Sequence, residues 1–138
     1  NGPPLPLVGD NGLPVIQMLL TQIHACRAAK RHPHKNLCRI GIVVTNALSQ
    51  WLHVDCGVDG RHWRQQYEKG IPTGPFSDVG AADGTWEQIS FLPDPTVFRH
   101  PHVDIPAFRN WFAEQQFPLP HCRITLHNAA SGERIRLT

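Results

Sequence analysis

From Trp51 the side chains alternate with period two, through Trp51-Leu-His-Val-Asp-Cys56 and again through His62-Trp-Arg-Gln-Gln-Tyr-Glu68, with Val58-Asp-Gly60 between the two runs. Period two puts successive side chains on opposite faces of a strand, and Asp-Gly supplies the positive φ angles that a tight hairpin turn requires. The centre of the chain therefore predicts an antiparallel hairpin.

The flanks have other rhythms. Residues 1–12 hold three prolines and three glycines and read as an irregular lead-in. Leu13, Ile16, Leu19, Leu20 and Ile23 then recur at helical spacing and predict a helix from about 13 to 27. Arg31-His-Pro-His-Lys35 breaks it, because Pro33 lacks an N–H and disfavours helix at the residue before it. Leu37 to Ser49 is apolar on most faces, as a buried helix would be, yet β-branched Ile40, Ile42, Val43 and Val44 favour a strand by propensity. Thr73 to Gly84, rich in Gly, Pro and small residues, predicts a loop, and Trp86 to Leu92 predicts a third strand ended by Pro93 and Pro95. Asp104 can cap a helix running to Glu114, with Pro106 tolerated in its first turn. Cys122 to Leu126 and Arg134 to Leu137 close as a last hairpin. Helices grouped against a largely antiparallel sheet give an α+β two-layer sandwich.

The length of 138 residues fits one domain over 1–138. No apolar run approaches the roughly 18 residues that span a bilayer. Asn1-Gly-Pro-Pro-Leu-Pro6 has no basic start followed by an apolar stretch, so the chain reads as cytoplasmic and without a membrane anchor. Cys26, Cys38, Cys56 and Cys122 show no Cys-x-x-Cys spacing and read as free, mostly buried thiols. The net charge of +2 hides an asymmetry: residues 11–54 carry five basic residues and no acid, all five within Arg27 to Arg39. Such a patch suits phosphate or another polyanion, although its neighbours are His and Pro rather than stacking aromatics, which favours a solvated loop over a nucleic-acid surface.

Three segments in order, Gly41-Ile-Val-Val-Thr-Asn-Ala-Leu-Ser49, Tyr67-Glu-Lys-Gly-Ile-Pro72 and Gly84-Thr85 leading to Phe91-Leu-Pro-Asp94, resemble the ATP-binding, GHKL-type domain of the B subunit of DNA gyrase and topoisomerase IV. Leu13 to Ala25 resembles the family helix before the ATP lid, and Phe112 to Pro120 with Arg123 to Leu126 and Glu133 to Leu137 continues the likeness to the end. The resemblance decides for a helix over Leu37 to Ser49. It implies helices on one face of a mixed, mainly antiparallel sheet and a role in DNA topology.

The resemblance also implies where chemistry is weakened. Asn1-Gly-Pro-Pro-Leu-Pro6 is similar to the end of the motif whose Asp binds adenine, so that Asp, the catalytic base and the metal-binding Asn would precede residue 1. A positioned base contributes about 10²- to 10⁴-fold. Where the family lid has Ala-Gly-Gly-Lys-Phe this chain has Ala25-Cys-Arg-Ala-Ala29, and where it has Gly-Leu-His-Gly-Val-Gly this chain has Asn36-Leu-Cys-Arg-Ile-Gly41. Side chains at Cys26, Arg27 and Arg39 obstruct a backbone cradle for phosphate, although Arg39 could meet phosphate by charge. The carried-over nucleotide positions are Arg39, Gly41, Ile42 and Thr85. Thr85 matches the threonine that holds a water against adenine, with two residues inserted between it and Phe91; a β-favouring residue at a strand start fits it equally. The expectation is a degenerate domain that neither hydrolyses ATP nor binds it tightly, with no catalytic residue of its own. Asn46 reads as a structural tie from the helix end to a neighbouring strand.

Arg31-His-Pro-His34 and Arg99-His-Pro-His102 place His32, His34, His100 and His102 as a conceivable four-imidazole metal set, but proline splays each pair and exposed loop histidines are the favoured reading. A domain beginning after the family's first helix and adenine strand leaves a sheet edge uncovered. A homodimer or protein partner is expected there, a topoisomerase subunit or DNA among the candidates, and no membrane.

Overall fold

The computed structural model describes residues 12–23, 42–100, 102–114 and 123–137. They fall into two compact units, one within Asn1–Pro101 and one within His102–Thr138.

The hairpin forms as the alternation predicts. Strand β1, Ser49–Val58, pairs antiparallel with β2, Arg61–Glu68, from Leu52 opposite Tyr67 to Val58 opposite Arg61. Asp59 and Gly60 both have positive φ, 50° and 75°, which matches the twist of the two strands. A second turn of the same kind, Lys69 and Gly70 at φ 48° and 83°, leads from β2 into β3, Ile71–Pro72. Strand β4, Ser77–Ala81, pairs with the first half of β2, and β5, Trp86–Pro93, pairs with the free side of β1. The order is β3-β2-β1-β5 with β4 also on β2, and every pairing among these described strands is antiparallel.

One face of this sheet is covered by α1, Val15–Thr21, and by the short α2, Val43–Ala47. Ile16 and Leu20 of α1 pack on Leu52, Val54 and Cys56 of β1 and Tyr67 of β2 to form the core. Ile42, Val58, Trp63, Phe76 and Ile89 lie partly buried around it. This is the expected α+β arrangement of helices against an antiparallel sheet.

Three boundaries differ from the sequence expectation. The first helix stops at Thr21 instead of about 27, with Gln22 extended, because burial ends at Leu20 while Ile23 is 65% exposed. The Thr21 hydroxyl also donates back to Gln17 O at 2.7 Å, a bond that loosens a helix end. The second helix, expected over Leu37 to Ser49, occupies only Val43–Ala47 among the described residues, and Ser49 already belongs to β1. Leu48 O there accepts from Asp94 N at 3.0 Å, so the chain turns where β5 ends beside it. The loop expected over Thr73 to Gly84 contains β4, secured by the stacked pair Trp63–Phe76 and by Arg61 Nη1 to Asp78 Oδ2 at 2.8 Å.

In the second unit, α3, Ile105–Glu114, is capped as predicted, with Ala107 N donating to Asp104 Oδ1 at 2.9 Å. Strands β6, Thr125–His127, and β7, Arg134–Arg136, form the last hairpin. Asn128 accepts from Ala130 N and Ser131 N inside its turn.

Candidate functional site

Of the four nucleotide positions carried over by resemblance, Arg39 and Gly41 lie outside the described residues, as do Cys26, Arg27 and the histidines His32 and His34. Ile42 precedes α2 and packs against the core. Thr85 is exposed, immediately before β5.

The register of β5 explains where Thr85 ends up. Directly opposed residues of antiparallel strands share a face, so Glu87, Ile89 and Phe91, opposite Cys56, Val54 and Leu52, look toward the core side. Trp86, Gln88, Ser90 and Leu92 look the other way. Pairing is unbroken from Trp51–Leu92 to Gly57–Trp86, so β5 runs without a bulge up to Trp86. Thr85 thus stands one residue past the last pair.

These two described positions offer one apolar side chain packed on the core and one exposed hydroxyl. His100 and His102 are both exposed, and the described residues contain no group of three or more His, Cys, Asp or Glu that could hold a metal ion.

The strongest polar cluster lies on the outer face. Asp55 Oδ1 accepts from His62 Nε2 at 2.6 Å and from Arg64 Nε at 2.7 Å, with its side chain 12% exposed. Burial pushes the Asp55 carboxyl up, but the hydrogen bonds from His62 and Arg64 and the charge of Arg64 outweigh it, leaving the group below the usual carboxylate range. Trp86 sits edge-on to His62 at 5.3 Å and lies over Gly57, where a Cβ would come within 2.4 Å of its indole Nε1. Further along, the rings of Trp51 and His53 lie 4.7 Å apart, and Gln66 donates to His53 Nε2. Sequence reasoning missed this cluster. A usable signal was present, because Asp55 and Arg64 are equally far from the Asp59-Gly60 turn and must face each other in a two-residue hairpin.

Cys56 is free and buried, as expected for it, and burial with Glu87 and Asp55 nearby pushes its thiol up to about 11. Asn46 is fully buried; its amide donates to Leu20 O at 2.9 Å and Gly70 O at 3.5 Å, tying α2 to the end of α1 and to the turn after β2. A cleft of about 230 Å³ opens where β2 changes partner from β4 to β3, between Gln65, Gln66, Thr73 and Ser77. Its buried wall is already satisfied, since Gln65 donates to Gln17 Oε1 and Gly74 O and accepts from Tyr67.

No family model matches the chain. It is 29% identical over 136 residues to the DNA gyrase B subunit of Thermotoga maritima, covering 96% of this chain and 21% of that protein. It is 30% identical over 119 residues to the novobiocin-sensitive DNA gyrase B subunit of Streptomyces niveus, covering 84% of this chain and 17% of the relative. The DNA topoisomerase 4 B subunit of Staphylococcus aureus is 28% identical over 139 residues, again with 96% of this chain covered. The chain is a homologue of the B subunits of DNA gyrase and topoisomerase IV. It spans about a fifth of the length of these relatives. The crystal structure of the 43K ATPase domain of Thermus thermophilus gyrase B, in complex with an aminocoumarin, matches with a TM-score of 0.75 at 23% identity, over 96% of this chain and 33% of that one. The fold is that of the gyrase B ATPase domain, for the part this chain represents.

Proposed function

We propose that this homologue of gyrase B serves as part of an ATPase-type domain in a type IIA topoisomerase of the cytoplasm, where ATP binding by the whole B subunit would drive DNA strand passage. The observation that carries this reading is likeness to gyrase B along 96% of the chain, in sequence and in fold together.

A second reading is favoured by the site itself: a degenerate, free-standing relative that uses the fold to bind a protein partner or DNA. Thr85 is exposed beyond the last strand pair, and Cys26, Arg27 and Arg39 replace residues whose lack of a side chain would admit phosphate. On either reading this polypeptide alone neither turns over ATP nor holds it tightly. Strand β5, paired only with β1 among the described residues, is where a protein partner would dock, a topoisomerase subunit included.

Calorimetric titration with Mg-ATP tests the nucleotide half of this proposal. No saturable heat at millimolar nucleotide is expected. A dissociation constant at or below the micromolar range, abolished by Thr85→Ala, would show a live pocket and overturn the degenerate reading.

A further inference from the structure

We propose that Trp86 is a positioning residue: seated on the outer face of the sheet, it holds the link Asp83-Gly84-Thr85 in one conformation, and with it Thr85. The use made of Thr85 rests on the reading of this chain as part of an ATPase-type domain, whereas the hold on it does not. The link is fastened at both ends to the β1–β2 hairpin. Before it, Ala82 N donates to Gly60 O at 3.1 Å. After it, Trp86 pairs with Gly57. Asp83, Gly84 and Thr85 between these points are exposed and belong to no strand, so burial does not fix them and their geometry depends on the two attachments. Gly84, at φ 72°, makes the bend that lets so short a link return to the hairpin.

The second attachment has a side chain behind it. The Trp86 indole lies over Gly57, where the lack of a Cβ makes room for it, and its edge meets the His62 ring at 5.3 Å. His62 is itself fixed, with Nε2 bonded to Asp55 Oδ1 at 2.6 Å. The ring therefore has a floor from β1 and a wall from β2. The last pair of a strand frays unless something holds it, because opening there costs little. Successive side chains of a strand point to opposite faces, so an indole pinned on the outer face also fixes the direction in which the preceding residue leaves the strand. A contact residue ordered in advance spares a ligand the cost of ordering it. Thr85 is thus governed from the face of the sheet opposite the helices.

Backbone ¹⁵N relaxation of the intact chain and of three variants tests this. Trp86 is 37% exposed and stands outside the core cluster, so Trp86→Ala keeps the fold, which circular dichroism checks. In the parent chain the Gly84 and Thr85 amides should show order parameters near the rigid value of about 0.85. Trp86→Ala should lower them below about 0.6 while Ile89 and Ser90, deep in the β1 pairing, keep theirs. Gly57→Ala, which retains the indole but displaces it, should loosen Thr85 in the same way, and Trp86→Phe, which keeps a ring over Gly57, should restore most of the order. A Thr85 unchanged in Trp86→Ala, a loss spread evenly along β5, or a Phe variant no better than Ala overturns the proposal. Titration with Mg-ATP followed at the Thr85 amide separates this from the reading it serves; a small shift at millimolar nucleotide, without saturation, is expected. A Thr85 that is rigid, is released by Trp86→Ala and does not respond to nucleotide establishes the hold and removes the nucleotide role, whereas a Thr85 that is mobile in the parent chain yet shifts with nucleotide overturns the hold and keeps that role.

Discussion

Asp55 shows how one carboxylate organises a face. It draws His62 and Arg64 from β2 onto β1, and His62 in turn meets the edge of Trp86 from β5, so three strands are joined on the solvated side. Asp55→Asn would keep the shape but lose the charge in two charge-assisted bonds, and a loss of about 1–3 kcal/mol in urea unfolding is expected. Asp94 is similarly held, below its usual range by the Thr96 hydroxyl and backbone N–H and by Lys69. A carboxyl whose folded pKa is depressed stabilises the fold above its unfolded pKa, near 4, and loses that contribution as pH falls through the folded value. The urea midpoint should therefore drop below about pH 4, and Asp55→Asn should flatten that drop; an unchanged slope in the variant would remove Asp55 from the acid response. Gly57 is constrained by contact rather than by φ: Gly57→Ala would press a methyl into the Trp86 indole, forcing Trp86 off His62 at a cost of about 1–3 kcal/mol. Trp86→Ala should recover most of that loss in the double variant, which a thermal-melt cycle can measure.

At the scale of elements, legibility tracked how many independent signals agreed. The β1–β2 hairpin was readable because the alternation and the Asp59-Gly60 turn specify the same register, and α3 because Asp104 caps it where the helical spacing begins. Strand β4 was not readable. Ser77-Asp-Val-Gly-Ala81 has almost no β-branched content and becomes a strand through Trp63–Phe76 stacking and the Arg61–Asp78 pair, both tertiary. The two helix ends were overestimated for different reasons: in α1 the periodicity continues past Leu20, the last residue that the sheet buries, whereas the end of α2 is cut short because buried Ser49 already belongs to β1. The site was legible only through resemblance, and its described residues, Thr85 and Ile42, do not assemble a charged pocket. Asn46 was read correctly as a tie, although its main acceptor is a helix carbonyl, Leu20 O, and its second the turn at Gly70 O. Asn46→Ala should cost about 1–3 kcal/mol by removing the buried hydrogen bonds to the Leu20 and Gly70 carbonyls, and hydrogen exchange should show α1 amides accelerating before those of β1.

For the molecule as a whole, the two units are held by unequal means. In the first, β1 is bonded along nearly its whole length on both sides, by β2 and by β5, and its inner side chains Leu52, Val54 and Cys56 lie under α1. In the second, no residue of α3 is buried, and β6 and β7 pair over only three residues each. Opening free energy rises with buried apolar contact and with hydrogen bonds shielded from water, so it should be highest in β1 and lowest in the second unit. Native-state exchange followed by mass spectrometry is expected to place β1 amides in the slowest class, approaching the global unfolding free energy, with α3 and the β6–β7 hairpin exchanging well before any global event. Adding low urea should narrow the gap, because the global opening that releases β1 exposes much surface and responds steeply to denaturant, whereas small openings expose little and respond weakly. Equal protection of α3 and β1, with one common urea slope, would mean that the two units unfold together and that contacts beyond those of the described residues hold the second in place.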